Sequence, residues 1–151
     1  MQILKFYPNF TKDDLDIMEQ AINPYHWAER NIDIGKIGDD KRLFNARWYQ
    51  EFLSRCTAAR KVVRCGRRAG KSYSLALNIL HKCLTNKNYW VLILTPYEVQ
   101  SEEIINLILQ FLYNLNPEFG TYDDLVDGFR QSPNRTIEFS NGSRVKAFTT
   151  G

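Results

Sequence analysis

The sequence has little of what marks secreted, membrane-spanning or metal-binding proteins. It holds 3 cysteines and 2 histidines in 151 residues, at spacings that suit neither a disulfide framework nor a zinc site. No apolar run is long enough to cross a membrane, and the polar N-terminus does not have the form of a signal peptide. Repeats and low-complexity segments are missing as well. These absences predict a reduced, globular cytoplasmic protein with one core and no membrane partner.

The charges are distributed unevenly, although the net charge is only +3. Residues 55–71 hold seven basic side chains and no acidic one, whereas residues 101–127 hold six acidic side chains and no basic one. A solvated surface explains the acidic run. The basic run is densest in "RCGRRAGKS", residues 64–72, where two glycines lie among the charges. Side chains this close must be solvated, paired with anions or arranged around a ligand, and we expect a ligand.

The apolar pattern predicts two regions. Residues 1–40 are expected to form a helical segment, its first helix capped by Thr11, and a glycine-rich connector. Residues 41–151 begin with a helix over 43–53 that places Leu43 and Trp48 in the core, and then alternate. The predicted elements are a strand at 61–66, a helix at 71–84, a strand buried on both faces at 89–96, and a helix at 101–115 capped by Ser101. This order predicts an α/β fold with a mostly parallel central sheet.

The last part of the sequence predicts a β-hairpin after an irregular stretch at 117–135. A two-residue Asn141-Gly142 turn would set Glu138 against Val145. A three-residue loop with Gly142 in the left-handed conformation would instead oppose Ile137 to Val145 and Glu138 to Arg144. We expect the second register.

The basic stretch resembles a phosphate-binding loop, whose pattern is G-x-x-x-x-G-K-[ST]. Gly70, Lys71 and Ser72 match its end, but Cys65 occupies the first glycine position and Gly66 comes one residue late. A predicted strand precedes the stretch and a predicted helix follows it, which is the context that the mechanism requires. The alternative is a basic strand-to-helix turn with a chance Gly-Lys-Ser.

The residue types in this stretch suit a nucleoside triphosphate with Mg²⁺. Backbone N–H groups of residues 67–72 could converge on phosphate oxygens at a helix N-terminus, and Gly70 would let the backbone approach closely. Lys71 offers a positive charge to the β- and γ-phosphates, and the Ser72 hydroxyl can ligate Mg²⁺. The stretch therefore predicts a site for a nucleoside triphosphate with Mg²⁺.

Arg67 and Arg68 are additional to the pattern. Either guanidinium could stabilise charge that develops on a transferred phosphoryl group. Either could equally contact a neighbouring subunit or nucleic acid, or be solvated. The sequence does not choose between these roles.

Five segments in order resemble the ATPase domain of the large terminase subunit of tailed bacteriophages. They are "NPYHWAERNI", "RWYQEFL", "VVRCGRRAGKS", "LILTPYEVQ" and "IEFSNGSRVKAF". The resemblance explains the absent first glycine, because terminases commonly carry an arginine-bearing variant of the loop. It implies a P-loop NTPase of the ASCE/RecA-like type that hydrolyses ATP to move double-stranded DNA into a procapsid.

The resemblance also implies the residues of the site. Gln50 matches a glutamine that recognises adenine ahead of the loop, a role that its amide can fill chemically. Lys71, Arg67 and Arg68 would be catalytic, and Ser72 would hold Mg²⁺. The implied nucleotide-binding set is Gln50, Cys65, Gly66, Arg67, Arg68, Ala69, Gly70, Lys71, Ser72 and Tyr73.

The partners implied by the family are double-stranded DNA, a portal protein and a small terminase subunit. A homo-oligomeric ring is implied during packaging, and a monomer in isolation. The implied location is the cytoplasm of the infected host and, transiently, the procapsid portal, but not the mature virion. The family's Walker B acidic pair, coupling motif and C-terminal endonuclease are expected after Gly151. We therefore expect residues 41–151 to be the front part of the ATPase domain, with weak or no turnover alone.

Two other functions fit the same residues. A helicase-like ATPase acting on DNA or RNA shares the glutamine, the loop and the "TP" of Thr95-Pro96. A non-catalytic nucleic-acid-binding assembly module would use the basic loop to hold DNA phosphates, with steeply salt-dependent DNA binding and no ATP-specific binding.

Overall fold

The computed structural model describes residues 11–33, 36–37, 40–41 and 46–150. Its helices are α1 (Lys12–Ile22), α2 (Pro24–Asn31), α3 (Trp48–Arg55), α4 (Lys71–Thr85), α5 (Glu98–Tyr113) and α6 (Tyr122–Leu125). Its strands are β1 (Lys36–Ile37), β2 (Asp40–Lys41), β3 (Trp90–Thr95), β4 (Val126–Arg130), β5 (Arg135–Phe139) and β6 (Arg144–Thr149). Among these helices, none is both long and apolar enough to cross a membrane.

The N-terminal helices form as predicted and share one core with the rest of the chain. Thr11 caps α1 in a capping box with Asp14, which confirms the predicted start of that helix. Asn23 begins α2 by accepting a hydrogen bond from the Tyr25 amide. Tyr25 and Trp27 of α2 are buried in the same apolar cluster as α4 and α5. Helix α2 is therefore part of the body that holds the basic loop.

The principal sheet has four strands in the order β3-β6-β5-β4. Strand β3 pairs in parallel with β6, while β6–β5 and β5–β4 are antiparallel. The fold is mixed α/β as predicted, but the expectation of a mostly parallel sheet is wrong for the described strands. Sequence-adjacent strands joined by a short turn can only pair antiparallel, because a parallel pair needs a crossover connection.

The predicted β5–β6 hairpin is confirmed in its register. Ile137 lies opposite Val145 and Glu138 lies opposite Arg144, whose side chain also forms a salt bridge with that glutamate. Gly142 has φ +83°, the left-handed conformation that the three-residue loop requires. The turn is closed by hydrogen bonds from the Phe139 amide to Ser143 and from the Gly142 amide to Phe139.

Among the residues that the structure describes, helices cover one face of the sheet only. Ile93 and Thr95 of β3 are buried, whereas Trp90, Leu92 and Leu94 are exposed. The prediction of a strand buried on both faces is therefore wrong for the described residues, because α5 packs against β3 and β6 while the side chains on the other face of β3 stay exposed. Continuous apolar sequence shows that a strand can be covered on both faces, but not what covers it.

Three further predictions about elements are wrong. Residues 61–66 form no strand, since no described strand pairs with them, and Val62 is 99% exposed. The stretch predicted as irregular at 117–135 contains α6 and β4, the latter paired with β5. Helix α5 begins at Glu98, so Ser101 is not its cap but lies in its first turns, donating to the Glu98 carbonyl. The remaining long helix, α4, covers residues 71–85 and confirms its prediction.

Candidate phosphate-binding site

The basic stretch forms a surface turn that leads into α4. Residues 61–68 are all exposed, and the turn reverses through two left-handed residues, Arg68 (φ 60°) and Gly70 (φ 78°). Gly70 is the N-cap of α4, which begins at Lys71. A Cβ at Gly70 would lie 2.5 Å from Nε2 of Gln50, so both the φ angle and the close approach require glycine there.

The backbone N–H groups of this turn are free among the described residues. None of the amides of residues 67–72 donates to a backbone carbonyl or a side chain there, whereas the Ser74 amide donates to Gly70 O at 2.9 Å. Unpaired amides are the rule in the first turn of a helix, and the helix dipole adds partial positive charge. The turn extends this row of free donors backwards to Arg67.

The side chains of the turn leave it strongly positive. Lys71 Nζ donates to the carbonyls of Cys65 (3.3 Å) and Gly66 (3.1 Å), so it folds back over the loop. Within the described residues, no carboxylate forms a salt bridge with Lys71, Arg67 or Arg68. These cations therefore have no carboxylate partner in the described part of the chain.

The other predicted residues lie around the same turn. Ser72 is half-buried on the first turn of α4, next to Lys71. Ala69 accepts a hydrogen bond from the Tyr49 hydroxyl at 3.2 Å, which attaches α3 to the turn. Tyr73 does not bring its ring to the site, because the ring packs edge-on against Phe111 in the interior. Burial raises the pKa of the Tyr73 hydroxyl.

Gln50 lies beneath the turn and is buried. Its Oε1 accepts from the Arg47 amide at 3.0 Å. Its Nε2 donates to Ser74 Oγ at 3.1 Å and approaches Gly70 O at 3.4 Å. The amide that the resemblance assigns to adenine thus has protein partners at both ends.

Two residues of this arrangement were not singled out from the sequence. Tyr25 of α2 donates its hydroxyl to Ser74 Oγ at 2.7 Å, and Ser74 in turn donates to Gly70 O at 2.9 Å. Ser74 could have been suspected, because a serine four residues after a helix cap often donates back to the cap carbonyl. Tyr25 carries no such signal, since it is 49 residues away in sequence.

Trp48 does not pack into the core. It is 79% exposed on α3 and lies edge-on to Tyr49, so the prediction that it packs in the core is wrong. Helix α3 begins only at Trp48, whereas the prediction started it at Leu43, which lies outside the described residues. Because the helix begins later than predicted, a different set of residues lies on its inner face, and Gln50 is the residue of the helix that is buried.

A groove of about 780 Å³ lies beside the turn, along α4. Lys71 and Ser72 are at its edge, and its walls come from the segment after α3, from α4 and from β3. Most of the lining is apolar, including Leu53, Val63 and Val91. The groove therefore separates the exposed segment that holds Lys61 and Val63 from the start of β3 at Val91.

The cysteines and acidic residues in the described part of the chain form no metal site beside the basic turn. No group of three or more His, Cys, Asp or Glu side chains among the described residues is placed to hold a metal ion. Cys65 is exposed on the turn and Cys83 is buried in α4, where burial raises the thiol pKa to about 12. The site is therefore a set of amides and cations, which can bind an anion and, through the Ser72 hydroxyl, supply one oxygen to a metal that arrives with it.

Comparison of the sequence with models of known protein families and with curated proteins gives no match.

Proposed function

We propose that this chain binds a nucleoside triphosphate with Mg²⁺ at the turn formed by residues 65–73, as the ATP-binding part of a viral DNA-packaging motor. The observation that carries the proposal is the row of amides from Arg67 to Ser72 that have no partner among the described residues, beside three cations that form no salt bridge with the described carboxylates. Converging N–H donors with fixed positive charge are what a polyphosphate requires.

Each side chain at the turn has a defined part in this proposal. Lys71 would exchange the carbonyls of Cys65 and Gly66 for phosphate oxygens, which are stronger partners because they are charged. Ser72 would ligate the Mg²⁺ that accompanies the nucleotide. Arg67 and Arg68 are exposed cations at the rim of the turn, where they could neutralise charge during phosphoryl transfer.

The nucleic-acid partner of the motor is part of the same proposal. The terminase resemblance assigns double-stranded DNA as the substrate that is moved, with a portal protein, a small terminase subunit and further copies of the chain as partners. Hydrolysis also needs a carboxylate that orients water. We therefore assign binding of the nucleotide to the described turn, and hydrolysis and DNA movement to the whole motor protein.

A second candidate function is supported by the exposed basic residues before the turn. Arg60, Lys61 and Arg64 extend the positive surface of Arg67 and Arg68, and all five are exposed. A surface of this kind would bind the phosphates of nucleic acid without any triphosphate site. Its affinity would fall steeply with salt and would not depend on ATP.

Calorimetric titration of the chain with ATP in the presence of MgCl2 separates these functions. We expect saturable binding that is lost in Lys71→Ala, whose side chain is exposed, so the fold should be retained. Lys87→Ala is the matched control, since Lys87 is an exposed lysine in the turn after α4. Unchanged ATP affinity in Lys71→Ala would refute the site, and salt-sensitive DNA binding without ATP binding would favour the second function.

A further inference from the structure

The carbonyl of Gly70 is held by three donors from below the turn. Ser74 donates to it twice, through its amide and its hydroxyl, both at 2.9 Å. Gln50 Nε2 approaches it at 3.4 Å. The donors are supplied by two different helices, α4 and α3, so the position of this carbonyl depends on how those helices pack.

The hydroxyl of Ser74 is saturated within this network. It accepts from Tyr25 Oη at 2.7 Å and from Gln50 Nε2 at 3.1 Å, and it donates its own proton to Gly70 O. Tyr25 and Ser74 are 1% and 3% exposed, and Gln50 is 9% exposed. With both acceptor positions of the oxygen filled by Tyr25 and Gln50, the serine proton points to the Gly70 carbonyl, so the two outer residues fix the direction of the serine hydroxyl.

The orientation of this carbonyl sets the orientation of the next amide. The C=O of Gly70 and the N–H of Lys71 belong to one planar trans peptide, in which the two groups point in opposite directions. Because the carbonyl is held towards Ser74 and Gln50, the Lys71 N–H is turned away from them, towards the open side of the turn. That amide is in the middle of the row that would bind phosphate.

We infer that Tyr25, Gln50 and Ser74 are positioning residues of the phosphate site, which hold the Gly70–Lys71 peptide so that its N–H faces the ligand. The inference rests on the proposed triphosphate site and deepens it. Gln50 then acts on the phosphate turn and not on the base, because its Oε1 and Nε2 are both engaged by the protein. The N-terminal helix α2, through Tyr25, becomes part of the binding apparatus.

The choice of ligand distinguishes a positioning role of these residues from recognition of the base. Tripolyphosphate has the phosphate chain but no base, while GTP has a different base. A positioning residue should affect the binding of ATP, GTP and tripolyphosphate by the same factor. A base-reading residue should affect ATP only, or change the ratio between ATP and GTP affinity.

The experiment is calorimetry of these three ligands with MgCl2 on the wild-type chain and on Gln50→Met, which keeps the length and loses the amide. We expect about a five- to tenfold loss of affinity for all three, the size of one or two neutral hydrogen bonds, with an unchanged ATP to GTP ratio. Gln110→Met, at an exposed glutamine on α5, is the matched control and should change none of the three affinities.

Tyr25→Phe gives an independent measurement, because it removes the single oxygen that donates to Ser74 Oγ. We expect the same uniform loss, measured well below the melting temperature. An effect of Gln50→Met confined to ATP, or no effect of either variant on tripolyphosphate, would overturn the inference. A wild-type chain that binds neither ATP nor tripolyphosphate would instead overturn the proposed function itself.

Discussion

Gly70→Ala tests the geometry of the turn without any ligand. The φ of 78° costs an alanine about 1 kcal/mol, since its Cβ crowds the following carbonyl in the left-handed conformation. The new Cβ would also lie 2.5 Å from Gln50 Nε2, so the glutamine must move and weaken its hydrogen bond to Ser74. That loss adds about 1 kcal/mol. We therefore expect the free energy of unfolding to fall by about 2 kcal/mol.

Urea denaturation followed by circular dichroism measures this change. An unaltered slope of the unfolding free energy against urea concentration would indicate that the unfolded state is the same. Gly66→Ala is the matched control, because a Cβ there meets nothing within 4 Å and should change stability by less than about 0.5 kcal/mol. Adding Gln50→Ala to Gly70→Ala removes the atom that clashes, so the two changes should not be additive. The reasoning is refuted if Gly70→Ala costs no more than Gly66→Ala, or if the double variant shows simple additivity.

Three further predictions concern the core and the titratable groups. Leu77→Ala, at a fully buried position, should cost about 2–4 kcal/mol in denaturant unfolding, whereas Leu75→Ala, at a side chain 48% exposed on the same helix, should cost under about 1 kcal/mol. Burial lowers the pKa of His81, so folding favours its neutral form. The free energy of unfolding should therefore fall as the pH drops below about 6.5, the ordinary pKa of histidine. His81→Gln should flatten that dependence in thermal melts measured from pH 7 to 5. A maleimide at pH 8 should label the exposed Cys65 in the native chain, but the buried Cys83 only in denaturant. ATP should slow the reaction of Cys65. Labelling of Cys83 in the native chain would contradict its burial.

Local patterns predicted the parts of the fold whose causes are local. The β5–β6 register follows from a left-handed glycine and from cross-strand pairing within a few residues, and it is confirmed. The start of α4 directly after Gly70 follows from the change from glycine and charge to an apolar helical period. The site residues from Cys65 to Ser72 are contiguous, so the sequence alone brings them together.

Non-local packing decided what the patterns could not. Residues 61–66 have the composition of a strand, but a strand needs a partner, and none of the described strands pairs with them. Strand β4 was missed because its apolar signal is short and is interrupted by Gly128 and Asp127. Its pairing with β5 stabilises it nonetheless.

The residue types of the turn were therefore determined by the sequence itself: two glycines, two arginines, a lysine and a serine before and at the start of α4 bring the same charges and hydroxyl to any fold. Only the tertiary structure decided what lies beneath that turn. Tyr25, Gln50 and Ser74 are far apart in the chain, and their hydrogen bonds exist because α2, α3 and α4 pack together. A hydrogen bond joins atoms about 3 Å apart in space, whatever their separation in the sequence. The sequence of the turn therefore could not show which residues hold it.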